Sequence, residues 1–228
     1  MTTSAGRYSA TRTAIRTAAI MLVFTLLFTA LMAFTYTTTR PAIETAMQQE
    51  QMRLINDILP PTLYDNTLLE DYLFLPPSPV LGTTRPGRVW RARQGDTPTA
   101  LIIETAAEDG YSGRIHLIVA LDSKARVLGV RVTAHKETPG LGDYIDPKKD
   151  RNKTNPWINQ FAGASPQTIP PPRWTVTKDG GAFDYHTGAT ISARAIAKAI
   201  GRATGFALMH RDALFDTPSG ETLQGTVL

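Results

Sequence analysis

A run of 23 residues without a charged side chain, Thr17 to Thr39, sets the strongest limit on this chain. Arg16 and Arg40 bound the run. As a helix it spans roughly 34 Å, because each residue adds about 1.5 Å, and that length crosses the core of a bilayer. Its threonines are compatible with a membrane, since their hydroxyls can bond back to the helix. The sequence predicts one N-terminal transmembrane helix over residues 17–39.

The alternative interpretation of this run is a cleaved signal peptide. The apolar part of such a peptide is usually about 7–15 residues long and is followed by an Ala-x-Ala cleavage site. This run is longer and no such site follows, which favours an uncleaved anchor. Residues 1–16 contain three arginines and no acid, so they are predicted to stay in the cytoplasm. The main domain is then predicted to be periplasmic, on a single-pass protein of a bacterial inner membrane.

Prolines and apolar spacing divide the rest of the chain. Pro41 is predicted to start a second helix, because proline is favoured at the first helical position. The apolar stretch 66–75 is predicted to pack on a partner or on the folded domain. The predicted segments are residues 40–61 as a helical stalk, 62–87 as a loop-rich connection, 88–215 as the folded domain and 216–228 as a loosely ordered polar tail.

The pattern between residues 88 and 135 predicts strands separated by turns. Two of these strands, 114–121 and 127–133, are predicted to form a β-hairpin. A further strand is predicted at 173–177, and an amphipathic helix after residue 192. The predicted fold class is α+β, an antiparallel sheet with packed helices, preceded by one N-terminal transmembrane helix.

Composition excludes several classes of site. The chain has no cysteine, which rules out disulfides, thiolate-bound iron–sulfur clusters and haem attached through cysteine. Its four histidines lack metal-ligand spacing, so no metal site is predicted. The net charge is only +4, and the densest basic run, 148–153, has no interleaved aromatic residue, so no nucleic-acid binding is predicted. Neither Gly-x-Gly-x-x-Gly nor a Walker sequence is present.

The segment 184–192, Asp-Tyr-His-Thr-Gly-Ala-Thr-Ile-Ser, is a turn rich in hydroxyls that leads into a predicted helix. Exposed amides and the positive end of a helix dipole favour a phosphate at such a place. Thr190 or Ser192 is alternatively an ordinary helix cap. The residues alone leave open whether a hydroxyl here accepts a hydrogen bond or carries a phosphate.

A second segment, Glu137-Thr138-Pro139-Gly140-Leu141-Gly142, predicts a glycine-rich turn with exposed amides. Glycines let a backbone approach a planar ligand closely, because they have no side chain to collide with it. A simple surface turn is the alternative interpretation.

Segment 184–190 resembles the flavinylation sequence Asp-x-x-(Ser/Thr)-Gly-Ala-(Thr/Ser) of the FMN-binding domain family, and segment 137–142 resembles that family's flavin-side loop. The resemblance implies FMN joined by a phosphoester to Thr190, and it leaves Thr187 and Ser192 as cap candidates. It implies no catalytic residue of the chain's own, since the flavin carries the chemistry. The implied FMN-binding residues are Thr190, Asp184, Thr187, Gly188, Ala189 and Ser192 in the turn and Glu137, Thr138, Gly140, Leu141 and Gly142 in the loop.

Within that family the chain resembles most closely the G subunits of the Rnf complex, called Rsx in some bacteria. The C subunits of the sodium-translocating NADH:quinone reductase are the alternative. The resemblance implies electron transfer between ferredoxin and NAD coupled to ion translocation. Implied partners are the other membrane and peripheral subunits of the complex, and a flavin transferase for maturation. An alternative from another class is a non-redox anchored module that binds a phosphate ligand or assists assembly.

Overall fold

The uncharged run lies within one long helix, α1 (Ala10–Asn56), in a computed structural model that describes residues 10–224. Among these residues α1 is the one helix long and apolar enough to cross a membrane, with a mean hydropathy of 2.3 over its most apolar window. Threonine hydroxyls bond back to the helix, for example Thr25 to Met21 O at 2.8 Å and Thr35 to Leu31 O at 2.9 Å. The predicted N-terminal and C-terminal segments lie partly outside the described residues.

Helix α1 continues through Pro41, where the sequence predicts the start of a separate helix. A proline removes one backbone hydrogen bond from a helix interior, but long apolar helices tolerate this loss. The helix also ends at Asn56, before the predicted stalk boundary at residue 61. The chain divides into two compact units after Gln51, and the second unit therefore includes the last turn of α1.

The second unit is built on five antiparallel strands in the order in which they occur along the chain. This arrangement confirms the predicted α+β fold, and the paired β4 and β5 confirm the predicted hairpin. The strands are β1 (Tyr72–Leu75), β2 (Gly87–Gln94), β3 (Thr97–Ala107), β4 (Ile115–Asp122) and β5 (Val127–Ala134).

Both faces of the sheet are covered, because alternate side chains of each strand point to opposite sides. On one face Ile103 of β3 joins a core with Ile200 of helix α2 (Thr190–Met209). On the other face Ile102 joins a smaller core with Ile55 and Leu59. Burying these apolar side chains stabilises the second unit by roughly 1.5–3 kcal/mol for each large one.

Two segments before the tail differ from their sequence-based predictions. The predicted loop-rich connection contains β1. Its apolar stretch packs on the domain, one of the two predicted outcomes, with Leu68 and Leu73 buried. The predicted strand at 173–177 is absent, and only a single bridge joins Val176 to Phe183. The Gly180–Gly181 turn ends the extended backbone there, because Gly180 adopts φ of 79°.

The predicted loosely ordered tail is instead packed along β1 as far as residue 224. The Phe74 N–H donates to Glu221 O at 2.8 Å, and the Leu223 N–H donates to Phe74 O at 2.9 Å. Leu223 is buried in the main core. The tail follows the short helix α3 (Arg211–Asp216). Polar composition misled the prediction, because backbone hydrogen bonds and one leucine are enough to fix this segment.

Candidate functional site

The start of α2 is not capped by any side chain. The N-cap position is Ala189, which has no side-chain oxygen, and Thr190 is the first helical residue. Gly188 reaches this geometry with φ of 90°, a value that favours glycine. The expectation that Thr187 or Ser192 caps the helix is therefore wrong. The first amides of α2 thus lack a side-chain acceptor, which is the arrangement that suits an anion.

The Thr190 hydroxyl is half-buried and makes no hydrogen bond within residues 10–224. It lies at the positive end of α2, the end that stabilises negative charge. A phosphate attached to this oxygen would therefore be stabilised both by the helix dipole and by hydrogen bonds from the uncapped amides.

Ser192 is buried and directs its hydroxyl away from the helix amides, towards Glu137. Its Oγ donates to Glu137 Oε2 at 2.7 Å. The other carboxylate oxygen, Oε1, accepts from the Ser112 N–H at 3.2 Å. One buried carboxylate thereby joins the helix start, the loop after β5 and the turn before β4.

A cleft of about 120 Å³ lies where these three segments meet. The structure thus brings the two sequence-predicted segments together, and Glu137, Thr138, Leu141 and Gly142 of the second segment line the cleft. The cleft is lined by Tyr111, Glu137, Thr138, Leu141, Gly142, Gly188, Ala189, Ile191 and Ser192.

Three large apolar side chains are exposed at this cleft: Tyr111 at 65%, Ile191 at 44% and Leu141 at 48%. Exposed apolar side chains grouped in a concave site mark a ligand or partner surface. The sequence analysis did not single out Tyr111 or Ile191 as site residues. The signal for Tyr111 was its position inside a Gly-Tyr-Ser-Gly turn, whose glycines allow a close approach to the 137–142 loop.

The remaining predicted residues do not line this cleft. Asp184 and Thr187 border a neighbouring polar cleft of about 550 Å³. Asp184 acts through its backbone, since its N–H donates to Gln160 Oε1 at 2.7 Å and its carbonyl accepts from Trp157 Nε1 at 2.8 Å. Gly140 shapes the turn with φ of 72°. These residues fix the two loops rather than the cleft itself.

Tyr144 is a further residue that the sequence analysis missed. Its buried ring stacks on His186, and its hydroxyl donates to Ala189 O at 3.3 Å. Burial raises the pKa of Tyr144 to about 12, so its hydroxyl stays protonated at neutral pH. No pattern in the sequence links Tyr144 to a turn more than forty residues away.

Arg194 and Asp179 form an ion pair beside the first turn of α2, with Arg194 Nη2 and Asp179 Oδ1 at 2.9 Å. The hydrogen bond from Arg194 lowers the pKa of Asp179. Among residues 10–224 no group of histidine and acidic side chains is arranged to hold a metal ion. The site therefore offers amides, hydroxyls and apolar surface.

Comparison with known proteins identifies both parts of the chain. The FMN-binding domain family matches residues 110–205, which include both loops of the cleft and most of α2. The RnfG N-terminal region matches residues 1–58, which include the apolar helix.

Full-length relatives agree with these matches. The G subunit of the ion-translocating oxidoreductase complex from Shewanella loihica is 40% identical over 213 residues, covering 93% of this chain and 98% of the relative. The corresponding protein from Cronobacter sakazakii is 43% identical over 202 residues, covering 87% and 92%. That from Vibrio cholerae is 38% identical over 200 residues, covering 88% and 93%. The chain belongs to the family of G subunits of the ion-translocating Rnf oxidoreductase complex, and it carries an FMN-binding domain after an N-terminal apolar helix.

Proposed function

We propose that this chain carries electrons through an FMN bound covalently, by a phosphoester, to Thr190. In this proposal it works within a complex that transfers electrons between ferredoxin and NAD and couples the transfer to ion movement across the inner membrane. The other subunits of the complex are its partners.

The uncapped start of α2 is the observation that carries the proposal. Thr190 is the first helical residue, and no side chain competes for the first amides of the helix. A phosphate diester keeps a negative charge, which the amides and the helix dipole stabilise. Thr190 itself does not line the cleft, but its neighbours Ala189 and Ile191 do, so a group attached at Thr190 would lie beside it.

The residues of the cleft fit a flavin ring. Tyr111, Leu141 and Ile191 supply apolar surface for a planar aromatic group, and Gly142 and Gly188 leave the backbone open to it. The bound flavin would supply one- and two-electron redox chemistry, while the protein positions it and adjusts its potential. Because the three apolar side chains are exposed around a small cleft, one edge of the ring would stay open to a redox partner.

Attachment requires a group transfer from FAD, performed by a flavin transferase. The Thr190 oxygen forms a bond to the phosphorus of the FMN half, and the bond from that phosphorus to the AMP half breaks. The hydroxyl proton is lost and AMP leaves, so no oxidant or reductant is consumed. The exposed turn before Thr190, including His186 and Thr187, leaves the hydroxyl accessible to such an enzyme.

Orientation in the membrane follows from charge. Arg7, Arg12 and Arg16 precede the apolar run on its short side, which favours a cytoplasmic N-terminus. The domain would then face the periplasm, where covalent attachment keeps a cofactor that no free pool could replace.

The test is intact mass and peptide mapping of the full chain after expression with the flavin transferase. We expect one FMN mass on the peptide that contains Thr190 and in-gel fluorescence after denaturation. Thr190→Ala should abolish both signals, whereas Thr177→Ala, at an exposed threonine outside both loops, should keep them. An unmodified mass in the wild-type chain would favour the alternative, a module that binds a phosphate ligand without a covalent bond.

A further inference from the structure

Glu137 is a buried carboxylate at the meeting point of three segments. It is 4% exposed, and its two oxygens accept from different segments, Ser192 Oγ at 2.7 Å and the Ser112 N–H at 3.2 Å. Its own N–H donates to His135 Nδ1 at 3.1 Å, which fixes the backbone at the start of the loop. Hydrogen bonds to a charged acceptor are stronger than neutral ones.

Two glycines make room for this carboxylate. A Cβ on Gly110 would lie 2.9 Å from Glu137 Oε1, and a Cβ on Gly142 would lie 2.9 Å from Glu137 Oε2. Both distances are shorter than carbon and oxygen atoms tolerate without a shift. At Gly142 the Glu137 carboxylate is the closest atom, whereas at Gly110 the Gly113 O, at 2.3 Å, is closer still, so the absence of a side chain at Gly110 also serves its own turn.

We propose that Glu137 is a positioning residue that acts on the attachment site through Ser192, rather than a residue that contacts the flavin. The inference rests on the proposed function of Thr190. Both carboxylate oxygens of Glu137 already accept hydrogen bonds from the protein, and a carboxylate would repel an anionic phosphate.

The action of Glu137 has two parts. By accepting from Ser192, it removes the hydroxyl that would otherwise compete for the first amides of α2, and it fixes the first helical turn. By accepting from Ser112, it fixes the turn that carries Tyr111, one wall of the cleft. One side chain thus positions both the first turn of α2, which contains Thr190, and the turn that carries Tyr111.

The first experiment measures hydrogen–deuterium exchange in the full chain purified from a host without flavin transferase. Glu137→Ala should speed exchange about tenfold in residues 193–197, the first amides of α2 that are bonded within the helix, and in residues 112–113. Ser192→Ala should speed exchange in 193–197 alone. Asp143→Asn is the matched control, because Asp143 Oδ1 accepts from the Gly140 N–H at 2.8 Å in the same loop but takes no part in the three-way contact. Unchanged exchange at 193–197 in Glu137→Ala would overturn the inference, as would an equal increase throughout the domain.

The second experiment measures the initial rate of FMN incorporation with the transferase. We expect Glu137→Ala to slow it at least tenfold, Glu137→Gln to recover part of the rate, and Glu137→Ala with Ser192→Ala to be no slower than Glu137→Ala alone. Equal rates in wild type and Glu137→Ala contradict the inference. If the wild-type chain takes up no FMN, the proposed function fails, and the exchange experiment still decides whether Glu137 orders the helix start.

Discussion

The ring of Tyr144 lies nearly parallel to the imidazole of His186, with their centroids 3.9 Å apart. The Tyr144 hydroxyl also accepts from the His186 N–H at 3.4 Å and donates to Ala189 O at 3.3 Å. One side chain from the loop after β5 thus supports both ends of the short turn that leads into α2. The turn that presents Thr190 is therefore built by tertiary contacts as well as by its own residues.

The raised pKa of Tyr144 predicts a loss of stability in alkali. A group whose pKa is higher in the folded state contributes stability that is complete below its unfolded value, about 10, and is lost as the pH rises through about 12. Tyr144→Phe should remove this loss while costing about 0.5–1.5 kcal/mol at pH 7, for its hydrogen bonds. Urea unfolding followed by tryptophan fluorescence from pH 7 to 12 checks this. A Tyr144→Phe variant that loses as much stability as the wild type between pH 10 and 12 would contradict the prediction.

The same substitution, glycine to alanine, should have opposite effects on stability at two positions of α2. Gly205→Ala should stabilise the protein by about 0.5–1 kcal/mol, because a Cβ there meets nothing within 4 Å and alanine favours a helix. Gly201→Ala should destabilise it by about 1–3 kcal/mol, because a Cβ there lies 2.6 Å from the Trp174 side chain. Thermal unfolding of the two variants side by side measures the difference, and equal melting temperatures would contradict it.

Replacing Asp71, which does not line the cleft, should have a large effect on the free energy of unfolding. Its carboxylate pairs with the buried Arg91 and with Arg93, whose Nε lies 2.8 Å from Asp71 Oδ2. Both arginines also donate to Phe215 O, at 3.2 Å and 2.9 Å. Asp71→Ala leaves a buried guanidinium without its partner, which should cost about 3–5 kcal/mol. Chemical denaturation measures the loss, with Asp212→Ala as the control, since the side chain of Asp212 is exposed and its ion pair lies at the surface.

Glu104 predicts a substitution that stabilises the protein. Burial raises the pKa of Glu104, although its Oε2 accepts from the Arg88 N–H at 2.8 Å. Because the pKa of Glu104 is higher in the folded state than in the unfolded state, its contribution to stability is fully present below the unfolded pKa. That contribution is lost as the pH rises through the folded pKa. Glu104→Gln should therefore raise stability at pH 7, because an amide oxygen can accept the same hydrogen bond without a buried charge. The gain should disappear as the pH falls to the unfolded pKa, about 4. Urea unfolding of the two proteins at pH 4 and pH 7 measures it, and an equal gain at both values would contradict the prediction.

Replacing Leu141 should change the properties of the bound flavin without changing the stability of the fold. Its side chain is 48% exposed at the cleft, so Leu141→Asn should alter stability by no more than about 0.5 kcal/mol. The polar side chain should shift the flavin potential and the yellow fluorescence of the bound cofactor. Spectroelectrochemistry and thermal unfolding on the same sample separate the two effects. A melting temperature that falls in step with flavin occupancy would show that Leu141 is structural.

Local patterns predicted the elements that local physics determines. The uncharged run, the β4–β5 hairpin and the core face of α2 each follow from the spacing of apolar residues, and the structure contains all three. The two loops of the cleft were predicted from glycines and hydroxyls, which act on their own backbone.

Long-range contacts decided what the sequence analysis missed. Serine is a residue type that often caps a helix, yet the Ser192 hydroxyl donates to Glu137, 55 residues away in the sequence. The tail has the polar composition of a loosely ordered segment, yet it forms hydrogen bonds with β1, about 147 residues earlier in the chain. Spacing within one segment carries no information about such partners.

The position of the tail has a consequence for the order of assembly. The outer edge of β1 is bonded by residues 220–223, so the strand that begins the sheet is covered by residues that are synthesised long after it. Until they leave the ribosome, β1 presents unpaired amides and carbonyls, the kind of edge to which another chain can add. The edge of the sheet is therefore closed only after residue 223 has been made, and a nascent chain stalled within α3 would expose a strand that can pair with another chain.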